Sequence, residues 1–174
     1  MHILKNHIII SMPHMNDPFF SKSVVLICDH NSHGSMGLIL NKKLNQKKSN
    51  PESGVEALDN ERVIFFGGPV MVNFNLLLHD EKKLEGNSYK ISENLFLSNN
   101  GFNNKIRISN KKFISGHAGW SKGQLENEIK NGDWIVQKAR NDLIFETDCE
   151  KIWNNAIESL GFNYDDLSIN GGSA

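Results

Sequence analysis

Apolar residues along this chain fall into short blocks set between polar turns, and the spacing within each block separates strands from helices. His7 to Ser11 holds Ile8-Ile9-Ile10 and reads as a strand ending at Met12-Pro13. The next stretch, from Pro13 to Phe20, contains two prolines and reads as an irregular loop with Phe19 and Phe20 as apolar anchors. Val24 to Cys28 is β-branched and almost wholly apolar. Its partner is Met36 to Leu40 across Asn31-Ser32-His33-Gly34, where Gly34 supplies the backbone freedom of the turn, so the pair reads as a hairpin buried on both faces. Val63 to Phe66 is a further strand, broken by Gly67-Gly68-Pro69, and Leu76 to Leu78 and Tyr89 to Leu97 supply more. Lys42 to Asn60 is polar, with four lysines, and reads as a solvated loop with a short helix near Val55 to Leu58. Asn99 to Ser109 follows neither period.

Two segments carry helical spacing. Ser121 stands three residues before Gln124 in a capping-box arrangement, with Trp120 placed to pack on Leu125. Leu125 and Ile129 then share a face, Glu126 and Lys130 pair at i,i+4, and Gly132 ends the helix. Thr147-Asp148-Cys149-Glu150 repeats the capping pattern ahead of Ile152, Trp153, Ala156, Ile157 and Leu160, with Gly161 as the stop. Several strands, a few scattered helices, no βαβ alternation and no internal repeat predict an α+β fold in one domain over 1–174.

Composition narrows the function classes. The chain has 174 residues, 39% hydrophobic and 22% charged, which suits one packed core. Its 19 basic and 20 acidic residues give a net charge of −1, and only Arg62, Arg107 and Arg140 are arginines. A duplex-binding face normally concentrates many more, so nucleic acid is not the expected partner. Val24 to Cys28 and Val63 to Phe66 are far shorter than the roughly 20 apolar residues of a membrane span, and the N-terminus lacks a secretory core. A cytoplasmic protein without a membrane partner is expected, with Cys28 and Cys149 reduced.

Candidate chemistry centres on Cys28-Asp29-His30-Asn31-Ser32-His33-Gly34. On a regular strand Cys28 and His30 share a face with Cα atoms about 6.6 Å apart. Only one thiol is local and the C-x-H-x-x-H spacing matches no metal motif, so neither metal nor cofactor is expected. A nucleophilic Cys28 needs a lowered pKa and access, whereas its apolar run predicts burial. Gly67-Gly68-Pro69 after a strand can present backbone N–H groups to an anion, but no phosphate-loop residues follow, so a sharp turn is the better reading. Ser115-Gly116-His117-Ala118-Gly119 does not have the nucleophile-elbow order, and Glu126 and Glu128 fall on different helix faces. No complete catalytic constellation results.

Four ordered stretches resemble the bacterial YqgE/AlgH family: Asn6 to Lys42, Phe65 to Val70, Gly116 to Ile129, and Leu143 to Phe162. The resemblance implies an α+β fold with a bifurcated, partly barrel-like sheet surrounded by helices, and a family whose members are often labelled transcriptional regulators. The family's recurrent positions fall on Met12, Pro13, Asp17, Pro18, Ser23, Cys28, His30, Gly34, Gly37, Asn41, Gly67, Gly68, Pro69, Gly119, Trp120, Gln124, Leu125 and Glu128. His117, His33 and Lys43 depart from the family pattern.

Two expectations follow. The first is a regulatory or adaptor-type binding protein, with an unknown protein or small molecule as partner. Its surface would lie near Gly67, Gly68 and Pro69 and the helix entry at Trp120 and Gln124. The second is a thiol-dependent or small-ligand site at Cys28 and His30.

Overall fold

The computed structural model describes residues 4–44, 63–99, 108–159 and 161. The helix expected near Val55 to Leu58 and most of the ambiguous stretch after Asn99 lie outside the described residues. The described residues build nine strands: β1 His7–Ser11, β2 Val24–Asn31, β3 Gly34–Ile39, β4 Ile64–Phe66, β5 Val70–His79, β6 Tyr89–Ser92, β7 Leu95–Asn99, β8 Lys111–Ser121 and β9 Trp134–Lys138. Two seven-residue helices, α1 Gln124–Lys130 and α2 Ile152–Glu158, accompany a 3-10 turn at Lys82–Asn87 and a π turn at Asp142–Glu146. The helices are few and short, and the fold is an α+β arrangement dominated by one sheet.

The sheet runs in the order β6-β7-β5-β8-β3-β2-β1-β9, with β4 joined parallel to β8. Strand β8 is the branch point. Its first half pairs with β5 on one side and β4 on the other, and its last four residues pair with β3. Gly116, at φ 74, stands between the halves, and no residue with a Cβ adopts that conformation without strain. In a regular strand Ile114 and Ala118 would share a face; here Ile114 lines one core and Ala118 the other. The sheet curls into a half-barrel, and its two ends approach through Lys5 Nζ to Tyr89 Oη at 2.8 Å and Asn141 Nδ2 to Asn94 O at 3.1 Å.

The two larger cores among the described residues lie one on each face of β1 and β2. Ile8, Ile10, Val24, Leu26 and Cys28 point into the barrel, which the π turn and α2 fill with Leu143, Ile144, Ile152, Trp153 and Ile157. Ile9, Val25 and Ile27 point the other way, toward Trp120, Leu125 and Trp134. Alternating residues of one continuous apolar run thus feed both cores, as expected of a strand buried on both faces. At α2, the indole of Trp153 donates to Ser11 O at 2.9 Å and ties the helix to β1.

The helix entries differ from expectation. Gln124 Oε1 accepts from Ser121 N at 3.0 Å and Ser121 Oγ at 3.1 Å, so half of the capping box forms, while the cap residue itself is Gly123 with no side-chain cap. The Thr147 capping box does not form. Asp148 organises the turn instead: its carboxylate accepts from Glu150 N at 3.1 Å and its carbonyl from Lys151 N and Ile152 N. The π turn just before Thr147 sets the strand-like exit that places Asp148, rather than Thr147, at the helix entry.

Candidate binding site

The loop after β1 is shaped by Asp17, whose Oδ1 accepts from Phe19 N at 2.8 Å and Phe20 N at 3.0 Å. This turn sends the two rings apart. Phe20 packs on Trp120 and Trp134, with centroids 5.8 and 5.7 Å away, and Phe19 leans on Phe66 at 5.9 Å. Beneath Phe20 lies a carboxylate clamp. Glu128 Oε2 accepts both indole N–H groups, Trp120 at 2.9 Å and Trp134 at 2.8 Å, and Oε1 accepts from Gln124 Nε2 at 2.9 Å. A carboxylate with three donors is well satisfied, so α1 is fixed on β8 and β9 by polar geometry as well as by Leu125. Trp120 is 5% exposed. The expectation that Trp120 offers a partner surface is therefore corrected: its ring is consumed by the second core, and Gln124 acts by bracing Glu128.

Cys28 and His30 do not share a face. The β2–β3 register runs Ile27 opposite Gly37 and then Asp29 opposite Met36, so Cys28 is an extra residue, a β-bulge. Cys28 therefore turns into the barrel while His30 emerges on the α1 side. Its Nδ1 meets Ser35 Oγ at 2.8 Å, and its Nε2 lies 3.6 Å from Glu126 Oε1 without a hydrogen-bond partner. Cys28 is fully buried, its thiol faces Leu26 O at 3.7 Å, and burial pushes its pKa far above the ordinary thiol value. The thiol-dependent site loses both of its requirements, access and a neighbouring imidazole, because the bulge that the residue pattern does not reveal reverses the side-chain alternation.

Gly67 and Gly68 mark a crossing of two backbones. Gly67 N donates to Ser115 O at 2.8 Å, and Gly67 O accepts from Ile39 N at 2.9 Å. A Cβ on Gly67 would land on Gly116 O, and one on Gly68 would land on the His117 backbone. The Gly67 N–H group is spent within the fold and cannot greet an anion, which agrees with the turn reading.

Pro69 leads out of this crossing into the feature that the residue pattern did not single out. Strand β5 pairs with β8 at Val70 opposite His117 and next at Asn75 opposite Ser115, so four residues on one strand stand against one on the other. Met71 to Phe74 loop outward, with Met71 left-handed at φ 51. Val70, Met71, Val72 and Phe74 are 41%, 60%, 47% and 41% exposed. With Pro69 and Asn73, the looped-out residues line a shallow hollow of about 470 Å³. Ser115 Oγ pins the loop at Val72 O, 2.5 Å away. No charged side chain occurs between Ile64 and His79, and that charge-free run was the available signal. Alone it reads as a strand, since nothing local distinguishes a covered apolar strand from an uncovered one.

A family model described as AlgH-like matches residues 8–165. This chain belongs to the AlgH-like family. A UPF0301 protein of Pseudoalteromonas translucida is 33% identical over 186 residues, covering 100% of both chains, and one of Shewanella loihica is 34% identical over 187 residues with the same coverage. Among solved structures, the AlgH protein of Pseudomonas aeruginosa aligns with a TM-score of 0.72 at 27% identity, over 99% of this chain and 96% of that one. A Corynebacterium diphtheriae protein shares the fold, with a TM-score of 0.73 at 22% identity over 88% and 85% of the two chains. In this AlgH-like chain the resemblance positions Asp17, Gly67, Gly68, Trp120, Gln124 and Glu128 are scaffold: each sets a turn, a crossing or the indole clamp. Among the described residues no three His, Cys, Asp or Glu side chains cluster as metal ligands, and no helix is long and apolar enough to cross a membrane.

Proposed function

We propose that this AlgH-like protein is a regulatory or adaptor-type binding protein that works without catalysis, inserting the apolar loop Pro69–Phe74 into an uncharged groove of a protein partner. The observation that carries the reading is the exposure of four large apolar side chains on a segment pinned at both ends by β-pairing and at its middle by Ser115. Contiguous exposed apolar surface on a folded domain marks an interaction site. The side chains project outward over a shallow hollow, a shape that enters a partner more readily than it encloses a small molecule. Regulation would then run through protein contact. The described helices are seven residues each and widely separated, which does not supply a recognition-helix pair for DNA. Two buried, free thiols suit a reducing compartment, and we place the protein in the cytoplasm on that ground.

The test is a photo-crosslinking residue placed at Met71, with one at Lys130 on α1 as control. The partner crosslinked from Met71 is then purified and its affinity measured for wild type, Met71→Asp and Phe74→Asp. The expected result is a heterologous protein captured from Met71 alone, whose binding weakens at least about tenfold in each variant. Equal capture from Lys130, unchanged affinity in both variants, or capture only of a small molecule or a second copy of the chain would overturn it.

A further inference from the structure

Sulfur is unevenly placed in this chain. Cys28 and Cys149 are both buried, and the described residues include four methionines, Met12, Met15, Met36 and Met71. Met15 packs on the second core and Met36 on the first, and Met12, like them, is half-buried. Met71 is different. It is 60% exposed, more than any other large apolar residue described, and it joins none of the apolar clusters. Its backbone, at φ 51, suits glycine or asparagine, so local conformation does not select a thioether there. Val70, Val72 and Phe74 beside it are inert toward mild oxidants. Met71 is thus the one readily oxidised side chain of the exposed run Pro69–Phe74.

We propose that Met71 is a hydroperoxide modification site, and that its sulfoxide prevents the loop from docking while the fold stays intact. The thioether sulfur attacks the terminal oxygen of a hydroperoxide, the S–O bond forms as the O–O bond breaks, and the proton on the transferred oxygen passes to the departing hydroxide or alkoxide. The sulfur is oxidised by two electrons to the sulfoxide, and the hydroperoxide is reduced to water or alcohol. The product carries a strong hydrogen-bond acceptor in place of a nearly apolar sulfur. On a free surface water satisfies that oxygen. In an uncharged groove it loses water and gains no donor, so oxidation weakens docking. Methionine oxidation inside a core destabilises the fold, but Met71 lies outside every core, which separates its effect on docking from any effect on stability. This regulation rests on the docking role of Pro69–Phe74.

The experiment treats the full-length protein with hydrogen peroxide and follows sulfoxide at each methionine by peptide mass spectrometry. The purified protein partner crosslinked from Met71 is then titrated against the untreated and the oxidised chain. Met71 is expected to oxidise at least about fivefold faster than Met15 or Met36, as its exposure requires. The oxidised chain should bind that partner at least about fivefold more weakly, with an unchanged thermal midpoint. Met71→Leu keeps the apolar volume without the sulfur, so it should bind within about twofold of wild type and hold that affinity after peroxide. Methionine sulfoxide reductases A and B with dithiothreitol should restore wild-type binding to the oxidised chain. Oxidation of Met71 no faster than that of Met15 and Met36, a lowered midpoint, or an equal loss of binding in peroxide-treated Met71→Leu would each sink the proposal. If Met71→Asp weakens binding and the sulfoxide does not, the docking role stands and the modification proposal falls. Unchanged affinity in both Met71→Asp and Phe74→Asp removes the docking role, and the proposal with it.

Discussion

Replacing Glu128 by alanine is expected to be among the costliest single changes on α1, although Glu128 carries no apolar surface to the core. In the folded protein one carboxylate oxygen accepts two indole N–H groups, and both rings are nearly sealed, Trp120 at 5% and Trp134 at 3% exposure. Truncation leaves both donors without an acceptor. Each buried donor left unpaired costs about 1–3 kcal/mol, so the pair costs about 2–6 kcal/mol, a large part of a typical domain's 5–15 kcal/mol. Glu128→Gln keeps one oxygen for the indoles but turns an amide N–H₂ toward the Gln124 amide, and should cost about 1–2 kcal/mol. Urea unfolding followed by tryptophan fluorescence measures both, because two of the three tryptophans report directly on the clamp. A second arm isolates the mechanism: in Trp134→Phe one N–H is already gone, so the penalty of Glu128→Ala should shrink by at least about 1 kcal/mol. A Glu128→Ala cost below about 1 kcal/mol, or the same cost in the Trp134→Phe background, would show that water satisfies the indoles and would refute the clamp.

Two further outcomes rest on other parts of the fold. Gly68→Ala drives a methyl group into the backbone of β8 at His117, where nothing flexible can yield, and should lower stability by more than about 3 kcal/mol or abolish soluble expression; a thermal shift of a degree or two would contradict the crossing. Acidification should weaken the fold through His79. This buried ring accepts from Glu81 N at Nδ1 and donates from Nε2 into the Ser88 and Ser98 hydroxyls, so a second proton would face an N–H donor, and burial lowers its pKa. The unfolded chain thus binds that proton more tightly than the folded one. Stability is whole above the ordinary histidine value of about 6.5 and falls as pH drops below it toward the lower folded value. His79→Gln should flatten the fall in a pH series of denaturation midpoints, and an unchanged slope in that variant would remove His79 as its source.

Local pattern carried much of the architecture. The hairpin of β2 and β3 and the apolar stripe of α2 each depend on residues within a turn or two of one another, where periodicity and turn chemistry act directly. The half-formed capping box of α1 marks the edge of that reach, since Gln124 also answers to Glu128 across the helix. Thr147 failed as a cap because the π turn before it, a feature without a period to read, rotated the chain so that Asp148 meets the helix entry.

The chain alone determined that most of these segments are strands, that Cys28 belongs to a core, and that a glycine pair must follow β4, because period, burial preference and backbone freedom are properties of neighbouring residues. Tertiary structure decided which face each side chain serves. One extra residue at Cys28 moved His30 to the opposite side of the sheet, and Gly116 handed β8 from one core to the other, because alternation has a period of two and a single irregularity inverts everything beyond it. Tertiary structure alone also decided that Trp120 is covered while Met71, Val72 and Phe74 are not. Coverage depends on what the rest of the chain brings across a surface, and that is written in long-range contacts rather than in the apolar run itself.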